Sequence, residues 1–145
     1  MEIRSATAGD ADSLAALSIE LGYTTDSQAV AERLARLMAL EDHAVFVAED
    51  DTGSMVGWIH VFGALRLESD PFAELGGLVV AAAQRRRGIG RLLCESARDW
   101  AQQRGYGALR VRTRIEREEA HKFYRRLGFR SAKIQRVFVL PLTGD

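Results

Sequence analysis

Residues 84 to 91 read Gln84-Arg85-Arg86-Arg87-Gly88-Ile89-Gly90-Arg91, a cluster of cations around two glycines one residue apart. An apolar stretch, Leu78-Val79-Val80, comes before it, and a pattern with Leu92, Leu93, Ala97, Trp100 and Ala101 on one helical face comes after it. Strand, glycine loop and helix start in that order make an anion site, because unpaired N–H groups and the positive end of the helix dipole converge on one spot. A pyrophosphate suits such a spot, with one or two of the three consecutive arginines touching phosphate. The plainer alternative is a surface turn whose arginines are solvated. Upstream, Glu74 puts a carboxylate into an otherwise apolar run, Phe72 to Ala81. Burying a carboxylate costs free energy unless it is partnered. It is therefore either a base for a proton-transfer step or the partner of a neighbouring arginine.

Other chemically able residues are more dispersed. His43, His60 and His121 stand 17 and 61 residues apart with no cysteine nearby, which argues against a metal centre. His60 shares a strand face with Trp58 and Phe62 and is read as a structural histidine, with a second base or acceptor contact as the alternative. Cys94 lies among apolar helix positions and is expected to be a small buried filler. Two nucleotide motifs are excluded by spacing: no G-x-x-x-x-G-K-S/T occurs, and no third glycine completes G-x-G-x-x-G.

The elements that must carry these residues are legible from periodicity. Glu2-Ile3-Arg4 reads as a short strand, Thr7 to Leu21 as a helix, and Gly22 to Thr25 as a break before a second helix, capped by Asp26 or Ser27, with Val30, Leu34, Leu37 and Met38 on one face. His43 to Ala48 and Ser54 to Leu67 flank polar turn residues and predict a hairpin. Phe72 to Ala81 predicts the next strand, and its adjacent Gly76 and Gly77 mark a bulge or a close backbone approach. Alternation places Glu74 on one face with Gly76, Leu78 and Val80. Glu74 and Leu78 are then about 13 Å apart along the strand. A helix from Arg91, closed by Gly105, a strand over 108–113, a helix over 116–127 and two last strands complete the reading.

The chain has 145 residues, 47% hydrophobic, with one cysteine, so a single domain over residues 1–145 with its own core is expected and a disulfide scaffold is excluded. No apolar run approaches the ~20 residues needed to span a bilayer, and Met1-Glu2-Ile3-Arg4 lacks the apolar stretch of a signal peptide, so a cytoplasmic protein that binds no membrane is expected. The net charge of zero hides a split. Residues 1–80 carry 4 Arg against 14 Asp and Glu, a balance of −10, and residues 81–145 carry 14 Arg and 2 Lys against 6 acids, a balance of +10. One half is suited to an anionic ligand and the other to a cationic one, unless the two simply attract each other on folding. Nucleic acid is not expected as a partner, since the arginines are interrupted by periodic apolar residues and no binding motif accompanies them.

The run R-x-x-G-x-G, Arg85 to Gly90, resembles the acetyl-CoA loop of the GCN5-related N-acetyltransferases (GNAT). Ala120-His121-Lys122-Phe123-Tyr124-Arg125-Arg126-Leu127-Gly128-Phe129 is similar to the second signature of that superfamily, A-x-x-(F/L)-Y-x-x-x-G-F, and the element order matches along essentially the whole chain. The resemblance implies an α/β fold with a mixed, mostly antiparallel twisted sheet of about six to seven strands and about four helices. It implies acetyl transfer from acetyl-CoA to an amine by direct attack in a ternary complex, with no metal. Leu78, Val79 and Val80 would line the cofactor arm through their backbones, the Leu78 N–H facing the thioester oxygen, and Arg85, Arg86, Arg87, Gly88, Ile89, Gly90 and Arg91 would hold the diphosphate. Tyr124 matches the acid that protonates the leaving thiolate; its alternative is a core aromatic. Phe72-Ala73-Glu74 resembles the branch in which a glutamate draws the amine proton through water. Many members carry Asn three residues before the signature alanine, where this chain has Arg117 and no Asn anywhere. The acceptor would enter at residues 22–27 and 58–68, where Glu20, Asp26, Glu68 and Asp70 favour a cationic small molecule or peptide amine. An acyl-CoA sensor without turnover is the alternative function, and a homodimer stays open.

Overall fold

The computed structural model describes residues 1–144, in two units, residues 1–111 and 112–144. In the first unit, β1 (Glu2–Ser5), β2 (His43–Glu49), β3 (Met55–Ala64), β4 (Phe72–Val80) and β5 (Leu109–Val111) form one sheet in that order. Every pairing is antiparallel except β4 with β5, which is parallel, so the sheet is mixed as expected. The parallel step follows from the connection: β4 leads into α3 (Ile89–Gln103), whose length carries the chain back to the end of the sheet where β4 begins, so that β5 runs beside it in the same direction.

One face of the sheet is covered by α1 (Ala11–Glu20) and α2 (Ser27–Met38). Ala6, Leu14, Leu34 and Val47 are buried together there, with Val30, Val45, Met55 and Trp58 packed against them. The Trp58 indole N–H donates to the Ser18 hydroxyl (3.1 Å), which itself donates to the Leu14 carbonyl (2.7 Å), so the buried polar atoms are satisfied. Asp26 is the cap of α2, accepting from the Ala29 N–H at 2.8 Å. Helix α3 covers the other face with Ile89, Leu93, Cys94, Ala97 and Ala101 buried. It comes close because residue 57 is glycine: a Cβ there would stand 3.0 Å from Leu93 Cδ1 and 3.2 Å from Ile89 Cγ2. Arg4 ties β1 to the turn after it, donating to both Asp10 carboxylate oxygens at 2.8 Å and to Glu49.

The second unit contains α4 (Glu118–Arg126), and residues 130–144 form neither helix nor strand. Among the described residues the expected six or seven strands are therefore five. The terminal run Val137-Phe138-Val139-Leu140 has strand-like composition, yet these side chains are 78–86% exposed. β-propensity expresses packing against paired neighbours, and without such burial the composition does not by itself make a strand.

Candidate active site

Strand β4 is paired on one edge along its whole length by β3, but β5 pairs with the other edge only at Ala73, Glu74 and Leu75. From Gly76 to Val80 that second edge has no strand partner among the described residues. The Ala81 N–H donates to the Val56 carbonyl at 2.8 Å. Because main-chain groups alternate along an antiparallel strand, Val79 then faces β3, while the N–H and C=O of Leu78 and Val80 face the open edge. Of the three positions named by resemblance, Leu78 and Val80 have amides that face the open edge, whereas the main-chain groups of Val79 are turned to β3 and are not offered to a ligand.

The paired glycines have a concrete cause. Register runs from Gly77 opposite His60 to Leu75 opposite Val61, so Gly76 is the extra residue of a bulge. Both glycines turn toward aromatic rings: a Cβ on Gly76 would lie 2.4 Å from His60 Nδ1, and one on Gly77 2.9 Å from Trp58 Cη2. The bulge also corrects the expected facing of Glu74. It lies opposite Phe62, on the same face as Gly77 and Val79, whereas Leu78 and Val80 project to the other face. The inserted residue shifts the alternation by one position, which a uniform period of two does not anticipate.

After β4, the loop meets the expectation of a helix N-terminus, with an earlier start. Helix α3 begins at Ile89 rather than Arg91, with Gly88 as its N-cap in a left-handed conformation (φ 79°) and no side chain capping it. The Leu92 N–H donates to the Gly88 carbonyl, so the amides of Ile89, Gly90 and Arg91 precede the first helical hydrogen bond and are aimed outward. Ile89 is buried and anchors the turn, so only its backbone serves a ligand. Arg85, Arg86 and Arg87 are exposed, and Arg91 approaches Glu95 at 3.9 Å. Arg86 has φ 68°, a left-handed conformation uncommon for a residue with a side chain. Residues held in such conformations cluster at ligand-binding and active sites.

On the α1 and α2 face, His43, Phe62, Glu74 and Arg110 occupy one cross-strand row. The rings of His43 and Phe62 stack at 5.3 Å, and His43 Nδ1 lies 2.9 Å from His60 Nε2. The Arg110 guanidinium covers the Phe72 ring at 4.1 Å. Glu20, Glu68 and Asp70 are exposed. The histidine pair was hidden by a separation of 17 residues. The hairpin register that joins Val45 to His60 and His43 to Phe62 was the signal for it, once the turn at Asp50 to Ser54 is centred. Burial, then the neighbouring His43, pushes the His60 imidazole down to about 4. Burial likewise pushes the Cys94 thiol up to about 12, leaving it an inert core residue as expected. Among the described residues no three His, Cys, Asp or Glu side chains are grouped to hold a metal ion.

In the second unit, α4 presents Tyr124 edge-on to Phe123 at 5.1 Å and to Phe129 at 5.3 Å. Gly128, left-handed at φ 98°, turns the chain so that the Phe129 N–H returns to the Tyr124 carbonyl. Arg117 is the N-cap of α4 and makes no capping hydrogen bond with its side chain.

The sequence profile of the Acetyltransferase (GNAT) family matches residues 13–129, across both units. An aminoglycoside N(6')-acetyltransferase type 1 of Stenotrophomonas maltophilia is 32% identical, the match covering 97% of this chain and 93% of that protein. An aminoalkylphosphonate N-acetyltransferase of Salmonella typhimurium is also 32% identical, over 90% of this chain and 86% of the other. Among solved structures, the AAC(6')-Iy complex with the bisubstrate analog CoA-S-monomethyl-acetylneamine superposes with a TM-score of 0.85 at 19% identity, covering 97% of each chain. The aminoglycoside 6'-N-acetyltransferase AAC(6')-IG of Acinetobacter haemolyticus gives 0.85 at 19% identity over 99% of this chain and 100% of the other. At these identities the superpositions speak for the fold.

Proposed function

The chain belongs to the GNAT acetyltransferase family and is an N-acetyltransferase that uses acetyl-CoA as co-substrate; on that premise we propose that residues 1–145 work as one catalytic domain, acetylating a primary amine of a small cationic molecule. The observation that carries this reading is the open edge of β4 running into the bare N-terminus of α3. That edge leaves the Leu78 and Val80 amides without a strand partner, and the chain then leads to the unpaired donors of Ile89, Gly90 and Arg91. An extended pantetheine arm pairs with such an edge as a strand does, and the diphosphate meets the helix dipole, with Arg85, Arg86 and Arg87 around it.

In the reaction a nitrogen–carbon bond forms and the carbon–sulfur bond breaks. The Leu78 N–H stabilises the oxyanion, a role for a fixed backbone donor. Glu74 takes the amine proton through water, and Tyr124 gives its proton to the departing thiolate, whose conjugate thiol has a pKa near ~8.5. Glu74 sits on the face covered by α1 and α2, in the half of the chain with a balance of −10, so a cationic acceptor is drawn to it. The relatives acting on aminoglycosides and aminoalkylphosphonates support a small amine over a peptide.

The test is thiol release from acetyl-CoA by the purified chain over a panel of aminoglycosides, polyamines, aminoalkylphosphonates and peptides, with products identified by mass. Acetylation of a polycationic small amine is expected. CoA binding without acetylation of any amine overturns the reading and leaves a sensor.

A further inference from the structure

Six large apolar side chains near the end of the chain lie uncovered: Ile134, Val137, Phe138, Val139, Leu140 and Leu142 are 77–90% exposed. The four consecutive ones, residues 137–140, would place apolar groups on both faces of a strand, the pattern of a strand inside a sheet rather than at its rim. Pro141 marks where pairing would stop, since it has no N–H to give to a ladder. Monomeric proteins seldom leave so large an apolar group in water, and a group of this kind marks an interaction surface. The fold of a single chain leaves it uncovered.

The first unit carries the complementary defect. β5 pairs with β4 on one edge and has no strand partner on the other among the described residues. The Ala73 N–H donates to the Ala108 carbonyl at 2.9 Å, so the main-chain groups of Ala108 and Arg110 face β4 and those of Leu109 and Val111 face outward. The Leu109 and Val111 side chains are only half-buried. An open edge of this sort is a template for another strand. Charge points the same way. Residues 112–145 carry 7 Arg and 2 Lys against 4 acids, a balance of +5, and residues 1–111 carry 11 Arg against 16 acids, a balance of −5. The second unit of one molecule is therefore attracted to the first unit of another.

We propose that residues 134–142 dock on a second copy of this chain, adding as a strand to the outer edge of that copy's β5, and that the two copies do so reciprocally. Because the apolar segment and the receiving edge belong to the same chain, a two-fold pair satisfies both at once and closes. One-way addition would leave an edge open and run on into a filament. The area is sufficient. At roughly 100 Å² per apolar side chain, six from each copy remove about 1,200 Å² from water, and the sheets that receive them lose a comparable amount, against the ~1,200–2,000 Å² of a stable interface. Main-chain bonds to Leu109 and Val111 set the register of the added strand, and its apolar side chains supply the affinity. The inference goes beyond the acetyl-transfer reading and does not depend on it.

The test uses the full-length chain in sedimentation equilibrium over a range of concentrations, with backbone hydrogen exchange followed by NMR. The expected mass is twice that of one chain. The Leu109 and Val111 amides are expected to exchange slowly in the pair and to lose that protection in the monomer obtained by dilution or substitution. Val137→Asp and, separately, Phe138→Ser are expected to weaken self-association by about 10²- to 10³-fold, because each change is made twice in a two-fold pair. Both side chains are exposed within one chain, so each variant is expected to fold, with an unchanged circular dichroism spectrum. Should either not fold, the mass and the exchange of the wild type carry the comparison. A single-chain mass at every concentration overturns the proposal. Protection of Leu109 and Val111 that persists in a monomer also overturns it, and assigns the segment to its own sheet. A dimer whose Leu109 and Val111 amides exchange freely, or one that either folded variant leaves intact, overturns it as well.

Discussion

Arg86 has a conformation that works against stability, and replacing it by glycine separates strain from ligand binding in one variant. A residue with a side chain held at φ 68° pays about 1–2 kcal/mol relative to the right-handed region, and glycine at that position pays none. Glycine also loosens the unfolded chain, which takes back about 0.4–1 kcal/mol. Arg86→Gly is therefore expected to leave stability unchanged or raise it by about 1 kcal/mol, a Tm shift of roughly 0 to +4 °C for a chain of this size. The exposed guanidinium makes no hydrogen bond within the described residues, so stability loses no partner with it. Binding moves the other way. One charge-assisted contact to phosphate is worth about 1.5–3 kcal/mol, which solvent screening at an exposed side chain reduces to about 1–2 kcal/mol, so CoA affinity should fall by about 5- to 30-fold, and less steeply at high salt. Calorimetric titration with CoA and thermal unfolding of the same preparation make the comparison. A variant that binds CoA as tightly as the wild type, or one that melts several degrees lower, would refute the idea that this loop holds strain in order to present donors to a diphosphate.

Further outcomes are accessible to the same preparations. Gly57→Ala places a methyl 3.0 Å from both Leu93 Cδ1 and the Val79 carbonyl, and is expected to cost about 1–3 kcal/mol in denaturant unfolding by pushing α3 off the sheet. Tyr124→Phe keeps the edge-on ring packing and removes the phenol proton; kcat should drop about 10²-fold, and full activity in the folded variant counts against the acid role. The Arg4 guanidinium holds the Asp10 carboxyl at about 2, below its ordinary 3.8, so this pair contributes about 2 kcal/mol that is fully present above pH ~4 and lost as pH falls toward 2. Asp10→Asn should lower stability by about that amount at pH 7 and flatten the stability profile between pH 4 and 2.

What the amino-acid sequence determined here is local or spaced by a short period. The glycine loop and its helix follow from consecutive residues, since the unpaired amides at a helix start need no distant partner. Helix α2, with its Asp26 cap, and the hairpin of β2 and β3 follow from periodicity and turn chemistry. The burial of Cys94 follows from its place among apolar helix positions. The terminal strands failed on the same ground: apolar composition at residues 134–142 is a local property, and a strand is a relation between two segments.

The tertiary structure decided whatever depends on register. A bulge of one residue at Gly76 moved Glu74 to the face opposite Leu78 and Val80, and stopping β5 at Val111 opened the edge that carries the Leu78 and Val80 amides. The same hairpin register brought His43 and His60 within hydrogen-bonding distance across 17 residues. Side chains alternate along a strand with a period of two, so a single inserted residue reverses every later facing, and only pairing with a neighbouring strand records where the insertion lies.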